Sequence, residues 1–339
     1  EHMKDHAFQN APGGVSNVKS YRTLMKELSS YINALPVEHG SSIFVRACES
    51  RVDLIRVLII GPENTPYSNG CFFFDIYCPP TYPNVSPKVQ FLTTGKGSVR
   101  FNPNLDAKGK VCLSLLGTGA GPGWVPGHST LLQVLISIQS LILVPDPYFN
   151  EPGYASMQNT EQGKSQAKKY DANIRKQSME WAIHDVLDKS PYPEFDDVVR
   201  AHFFHKRSTI VAQLIRWARL DLSEPSTPTS SSDWRASGWI AGARPLYTPR
   251  SHSVARIMDK LQKLYGSFIV ENPQQQHHHQ QQQHEVKFSS TSTSSSSSSA
   301  STGVGKVISL VDIDDEAPTK PKRGTFNSAA PDAVIDLTL

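Results

Sequence analysis

The chain has 339 residues, 38% of them apolar, with a formal charge of only +3. That length holds two domains, or one domain and a tail. A charge so near neutral, with no basic cluster interleaved with aromatics, excludes a nucleic-acid reading, and no apolar run approaches the roughly 18–20 residues of a membrane span. No signal peptide is recognised, and the four cysteines (Cys48, Cys71, Cys78, Cys112) form no C-x-x-C pair. Reduced thiols and an intracellular place, in cytoplasm or nucleus, are therefore expected. The chain opens on Glu1-His2-Met3, which leads us to expect a piece of a longer protein.

Residues 1–17 are polar, rich in Gly and Pro, and expected to be mobile. From Val18 to Leu35, apolar residues at Tyr21, Leu24, Leu28, Tyr31 and Leu35 keep helical spacing, with Ser16 or Asn17 as N-cap and Pro36 as the stop. Strands are predicted at Ser42–Ala47, Asp53–Ile60, Cys71–Tyr77 and Lys88–Leu92, with turn signals at Gly61-Pro62 and Asn69-Gly70. Phe72, Phe74, Ile76 and Cys78 alternate with Cys71, Phe73, Asp75 and Tyr77, the pattern of a sheet covered on one face. The prolines between Pro79 and Pro87 describe a rigid extended loop before the fourth strand.

Phe101–Leu116 then carries an Asn-Pro-Asn turn at Asn102–Asn104, a Gly-containing hairpin-like loop, and Cys112 at the head of an apolar run. Leu131–Val144 is an apolar helix, and Ser165–Lys189 and Pro193–Leu222 read as long helices that cover the sheet and each other. Past Ser223 the composition turns Ser/Thr/Pro-rich, with low complexity at Gln274–His284 and Ser289–Thr302 that has no core to bury. A helical stripe over residues 253–270, from Val254 to Phe268, interrupts it and reads as an isolated docking helix. His277–His279 reads as solvated low complexity, so no metal and no cofactor are expected.

This order resembles the ubiquitin-conjugating (E2) enzymes. The matching residues are Gly61–Tyr67, Gly70–Phe74, Tyr82-Pro83, Ser86–Val89, the Asn104-to-Cys112 spacing, Trp124 with Pro126, and the helix from Leu131. The resemblance runs from about Val18 to Trp217. Ser98–Asn104, Pro147–Tyr154 and Tyr170–Arg175 are similar to the Apollon/Bruce-type E2/E3 hybrids, which share the Asn at position 102 where most E2s have His. The resemblance implies an α+β fold: an N-terminal helix, a four-stranded antiparallel meander and C-terminal helices. We expect the core over residues 18–222 and a disordered tail over 223–339.

It also implies roles. Cys112 is the thiolate nucleophile that carries ubiquitin as a thioester, while the three strand cysteines read as buried structural thiols. Asn104 is the candidate to stabilise the oxyanion when a lysine amine attacks, or to hold the turn, and Asn102 reads as turn support. Glu151, on the loop after the helix, aligns with the acid that positions the lysine, Asp146 being the alternative should the register slip. Ser114 stands where many ubiquitin E2s have Asp. Trp124 and Pro126 fit an E3-docking loop, and Asn84 stands where the first docking loop often has Phe. The Gly-rich loop Gly117–Gly123 reads as mobile over the site.

The tail gives a second signal. Val334-Ile335-x-Leu337 and Val307-Ile308-x-Leu310, each beside acidic residues, resemble SUMO-interacting motifs, in which a short strand adds to a sheet edge. The expected function is an E2, or E2/E3 hybrid, that accepts ubiquitin from an E1 on Cys112 and passes it to substrate lysine. The expected partners are ubiquitin, the E1, E3 ligases, and SUMO or sumoylated proteins, with no nucleic acid and no membrane. Conjugation of SUMO or another modifier, and a non-catalytic ubiquitin/SUMO-binding scaffold, are the alternatives.

Overall fold

The computed structural model describes residues 3–13, 18–48, 50–222, 252–266 and, for the backbone, 334–336. The helix expected from Val18 is α1, Val18–Ala34, and its stripe buries Leu24, Leu28 and Tyr31. The sheet is an antiparallel meander of β2 (Ser41–Cys48), β3 (Leu54–Ile60), β4 (Cys71–Tyr77) and β5 (Lys88–Phe91). A two-residue β1, Val37–Glu38, pairs with the start of β2. A last strand, β6, Val334–Asp336, pairs antiparallel with Arg46–Cys48. Because β3 holds one side of β2 over Ile43–Ala47, β6 occupies the same open side as β1.

The alternation in β4 is real, but the sheet is covered on both faces rather than one. Every residue of β3 and β4 is buried. Phe72, Phe74 and Ile76 face α1, α2 (Leu131–Ser137) and Phe101 in one core. Leu58, Ile60, Cys71 and Phe73 face a second core made by the C-terminal helices. These are a π-helical stretch Ser178–His184, α4 (Asp185–Lys189) and α5 (Asp196–Leu222), whereas α3 (Glu161–Gln177), which precedes them, sends Ile174 into the first core. The stripe read as an isolated docking helix forms α6, His252–Tyr265, and it is not isolated. Val254, Ile257 and Leu261 are fully buried in the second core, with Met258 and Tyr265 packed against it, because an apolar helix face demands a partner.

Residues 3–13, expected to be mobile, make contacts with charged residues on the second face of the sheet. Arg56 and Asp75 face the second side of the sheet with no exposed side-chain surface, and such charges require partners. Asp75 accepts from Arg56 at 2.6 Å and 3.0 Å and from the Ala7 amide at 2.7 Å. Asp5 and Glu194 complete the shell around Arg56, and the His6 ring bonds the Ile55 carbonyl at 3.1 Å. The Tyr192 ring lies under the guanidinium, 4.3 Å from it. No described helix is long and apolar enough to cross a membrane.

Candidate functional site

The Asn102–Asn104 turn is built around one fully buried side chain. Asn102 donates from Nδ2 to the Tyr67 hydroxyl at 3.1 Å and to the Ile142 carbonyl at 2.8 Å. Its Oδ1 accepts from the Asn104 amide at 2.8 Å and from Asn150 Nδ2 at 3.3 Å. Asn150 also donates to the Leu141 carbonyl at 2.9 Å, and Tyr67 donates to the Phe101 carbonyl at 2.8 Å. Asn102 thus ties together the turn, the end of the α2 helix and the Pro147–Asn150 turn. Tyr67 reaches it because Gly61 lets the chain double back; a Cβ at Gly61 would collide with the Tyr67 carbonyl.

Asn104 and Cys112 are bound to one another across the intervening loop. The Cys112 amide donates to the Asn104 carbonyl at 2.8 Å, and Asn104 Nδ2 donates to the Cys112 carbonyl at 2.8 Å. An amide carries two such hydrogens, so one remains as a donor beside the cysteine. The loop Asp106–Lys110 between them is closed by backbone bonds and by the Lys108 amide on Asp106. Cys112 is partly exposed, whereas Cys48, Cys71 and Cys78 are buried. Burial pushes the Cys71 thiol far up, and burial followed by the nearby Glu27 carboxylate does the same for Cys78. Neither is a thiolate at neutral pH, and of the four sulfurs only that of Cys112 lies in a residue open to solvent.

The loop Gly117–Gly123, expected to be mobile, is anchored at its start. Thr118 accepts from the Leu113 amide at 3.1 Å and donates to the Val111 carbonyl at 2.6 Å, on both sides of Cys112. Ser114 begins a short turn of helix, Ser114–Leu116, directly after the cysteine segment. Trp124 donates to the Pro83 carbonyl at 2.7 Å and its ring meets Tyr82 at 5.7 Å, which places the exposed Pro126 and Asn84 on adjoining loops.

Glu151 is not free. Its carboxylate accepts from Arg100 Nη2 at 3.0 Å, and the same nitrogen donates to the Pro103 carbonyl at 2.8 Å. Asp146, the alternative acid, is exposed in a left-handed conformation at the head of the Pro147–Asn150 turn. Behind it lies Asp171, one carboxylate oxygen buried with no hydrogen-bond partner. Burial, then the charge of Asp146, push Asp171 up to about 7 against the opposing pull of Arg175. Sequence reasoning assigned no role to Tyr67, Arg100, Thr118, Asn150 or Asp171. Tyr67, Arg100, Asn150 and Asp171 stand inside the motifs quoted above, but their partners are remote in sequence.

The family model described as ubiquitin-conjugating enzyme matches residues 19–178, which contain the sheet, the turn and Cys112. This segment is a ubiquitin-conjugating (E2) domain. Its relatives include a probable ubiquitin-conjugating enzyme E2 of Acanthamoeba polyphaga mimivirus, 46% identical over 207 residues, or 60% of this chain and 14% of the relative. A dual E2 ubiquitin-conjugating enzyme/E3 ubiquitin-protein ligase of Homo sapiens is 48% identical over 199 residues, 58% of this chain and 4% of that protein. A putative ubiquitin-conjugating enzyme E2 of Arabidopsis thaliana is 42% identical over 214 residues, 62% of this chain and 64% of the relative. The chain therefore spans only 14% and 4% of the length of the first two. α3 lies inside the matched segment, and α4, α5 and α6 lie beyond it. Val307, Ile308, Leu310 and Leu337, and His277–His279, lie outside the described residues.

Proposed function

We propose that the chain is an E2 ubiquitin-conjugating enzyme working through Cys112. The observation that carries this reading is the single accessible thiol, bound through its own backbone to Asn104 in a turn that Asn102 holds rigid. The Cys112 thiolate attacks the thioester that joins the ubiquitin C-terminus to an E1 cysteine; a new S–C bond forms and the E1 thiolate leaves. A substrate lysine amine then attacks the carbonyl carbon. The spare Asn104 amide hydrogen suits the oxyanion that develops, a donor contributing about 3 kcal/mol at comparable acyl-transfer sites. As the isopeptide bond forms, Cys112 leaves as thiolate and the amine loses its proton, with Glu151 the carboxylate that orients it. Trp124, Pro126 and Asn84 form the surface offered to an E3. A cytoplasmic or nuclear site, where thiols stay reduced, fits this reading.

The finer partner is SUMO. The Val334-Ile335-x-Leu337 and Val307-Ile308-x-Leu310 motifs would bring SUMO or sumoylated proteins to the enzyme by strand addition. The backbone of Val334–Asp336 adds as a strand to the edge of β2, so it is capable of strand addition, and SUMO would compete with that pairing.

Incubation with E1, ATP and either ubiquitin or SUMO tests the reading directly. Ubiquitin should give an adduct that reductant releases, and Cys112→Ala should give none. An unmodified wild-type protein, or the same reductant-sensitive adduct on Cys112→Ala, would overturn it.

A further inference from the structure

The groove next to the Asn102–Asn104 turn has a chemistry of its own. It encloses about 350 Å³ and is walled by Tyr148, Tyr154 and Tyr170, with Pro103 of the turn on its other side. The Tyr148 ring lies 4.8 Å from Tyr154 and 6.1 Å from Tyr170, so the three rings make one continuous wall. That volume admits one or two side chains, not a folded partner. Among its lining residues only Arg100 and Glu151 are charged, and they are paired with one another.

We propose that this groove is a subsite for the acceptor protein, and that Arg100 selects a carboxylate-bearing residue flanking the lysine to be modified. The proposal rests on the E2 reading above. Three observations support it. The groove adjoins the reacting segment through covalent neighbours: Pro103 precedes Asn104, which is bonded to Cys112, and Glu151 follows Asn150, which is bonded to Asn102. The Arg100–Glu151 pair is open to solvent, its side chains 53% and 34% exposed, so exchanging partners costs little. Among the described residues, Nη2 makes both of the bonds given for Arg100, leaving the Nε and Nη1 hydrogens as donors.

Arriving together, a lysine and an acidic neighbour resolve the pair. The lysine ammonium takes Glu151, the flanking carboxylate takes Arg100, and one internal ion pair becomes two across the interface. A flanking arginine would instead meet the like charge of Arg100. Arg100 thus acts on specificity and, by holding Glu151 until an acceptor arrives, as a positioning residue.

The test is single-turnover discharge of ubiquitin from loaded Cys112 into three peptides that differ only in having Glu, Gln or Arg beside one lysine. Wild type should favour the Glu peptide over the Arg peptide by about tenfold, mostly through KM. Arg100→Lys should keep the preference, Arg100→Ala should erase it, and Arg100→Glu should reverse it. Comparing peptides on one loaded enzyme separates this from any loss of folding, since an unfolded variant reverses nothing. Equal discharge into all three by wild type, or an undiminished preference in Arg100→Ala and Arg100→Glu, would overturn the proposal while leaving the E2 reading intact. Failure of wild type to load at all would instead remove the E2 reading, and this subsite with it.

Discussion

Asn102 shows how much of a site hangs on one amide. Both donors and both acceptor positions of its side chain are used, by Tyr67, Ile142, Asn104 and Asn150, and none of it reaches solvent. Asn102→Ala would strand several buried polar groups and should lower stability by about 2–3 kcal/mol, read from the urea midpoint. Lysine discharge should fall further than loading, because the Asn104 amide hydrogen loses its fixed aim. The turn-supporting role was legible from the Asn-Pro-Asn spacing, as was the greater exposure of Cys112 than of the three strand cysteines. The links to Tyr67 and Asn150 were not, since no local pattern joins residues 35 and 48 positions apart. For the same reason the bond from Arg100 to Glu151, read only as the acid that positions a lysine, was not visible in the sequence.

Asp171 gives a pH signature at this scale. Its folded value of about 7 lies above the ordinary aspartate value near 4, so between those limits the native protein holds a proton that the unfolded chain releases. Stability contributed by this group is full below about pH 4, declines as pH rises through the window, and levels off above pH 7. Asp171→Asn mimics the protonated form. It should match wild type near pH 4 and exceed it at pH 8, where Asp171 and Asp146 are both charged and Arg175 offsets them only in part. Urea unfolding at the two pH values checks this, and a parallel pair of pH profiles would count against it.

At the scale of elements, the four main strands and α1 fall within one or two residues of their predicted ends, because Pro and Gly mark the boundaries and period-two alternation marks the faces. What alternation does not reveal is what lies over the second face. Cys71 and Phe73 are as compatible with a thin covering as with a second core, and only the helices beyond Glu161 decide between them. The interior of those helices was equally hidden. The α2 helix widens to π form over Ile138–Ile142, and the α3 run does so over Ser178–His184, departures that leave no mark in residue spacing. α6 contributes stability through its buried face of Val254, Ile257 and Leu261. Ile257→Asp should cost about 3 kcal/mol or more by placing an unpaired charge in the second core, and should abolish protection of α6 amides from hydrogen exchange. Unchanged exchange in α6 would show that the helix does not depend on that face.

At the scale of the molecule, two cores share one sheet, and the Cys112 segment belongs to the first while the second is covered on the N-terminal side by residues 3–13. One edge of that sheet is partly open. β2 offers its backbone on the side away from β3, and β1 covers only Ser41 and Ser42 of it. Val334–Asp336 fills the stretch from Arg46 to Cys48. An unfilled strand edge is a template for another copy of the same chain. With Val334–Asp336 in place, that stretch of edge is not open to a second copy. A protein shortened before residue 332 should stay folded yet form higher-order species as its concentration rises, visible by light scattering. Saturating the tail with a strand-accepting modifier should bring on the same behaviour in the intact chain.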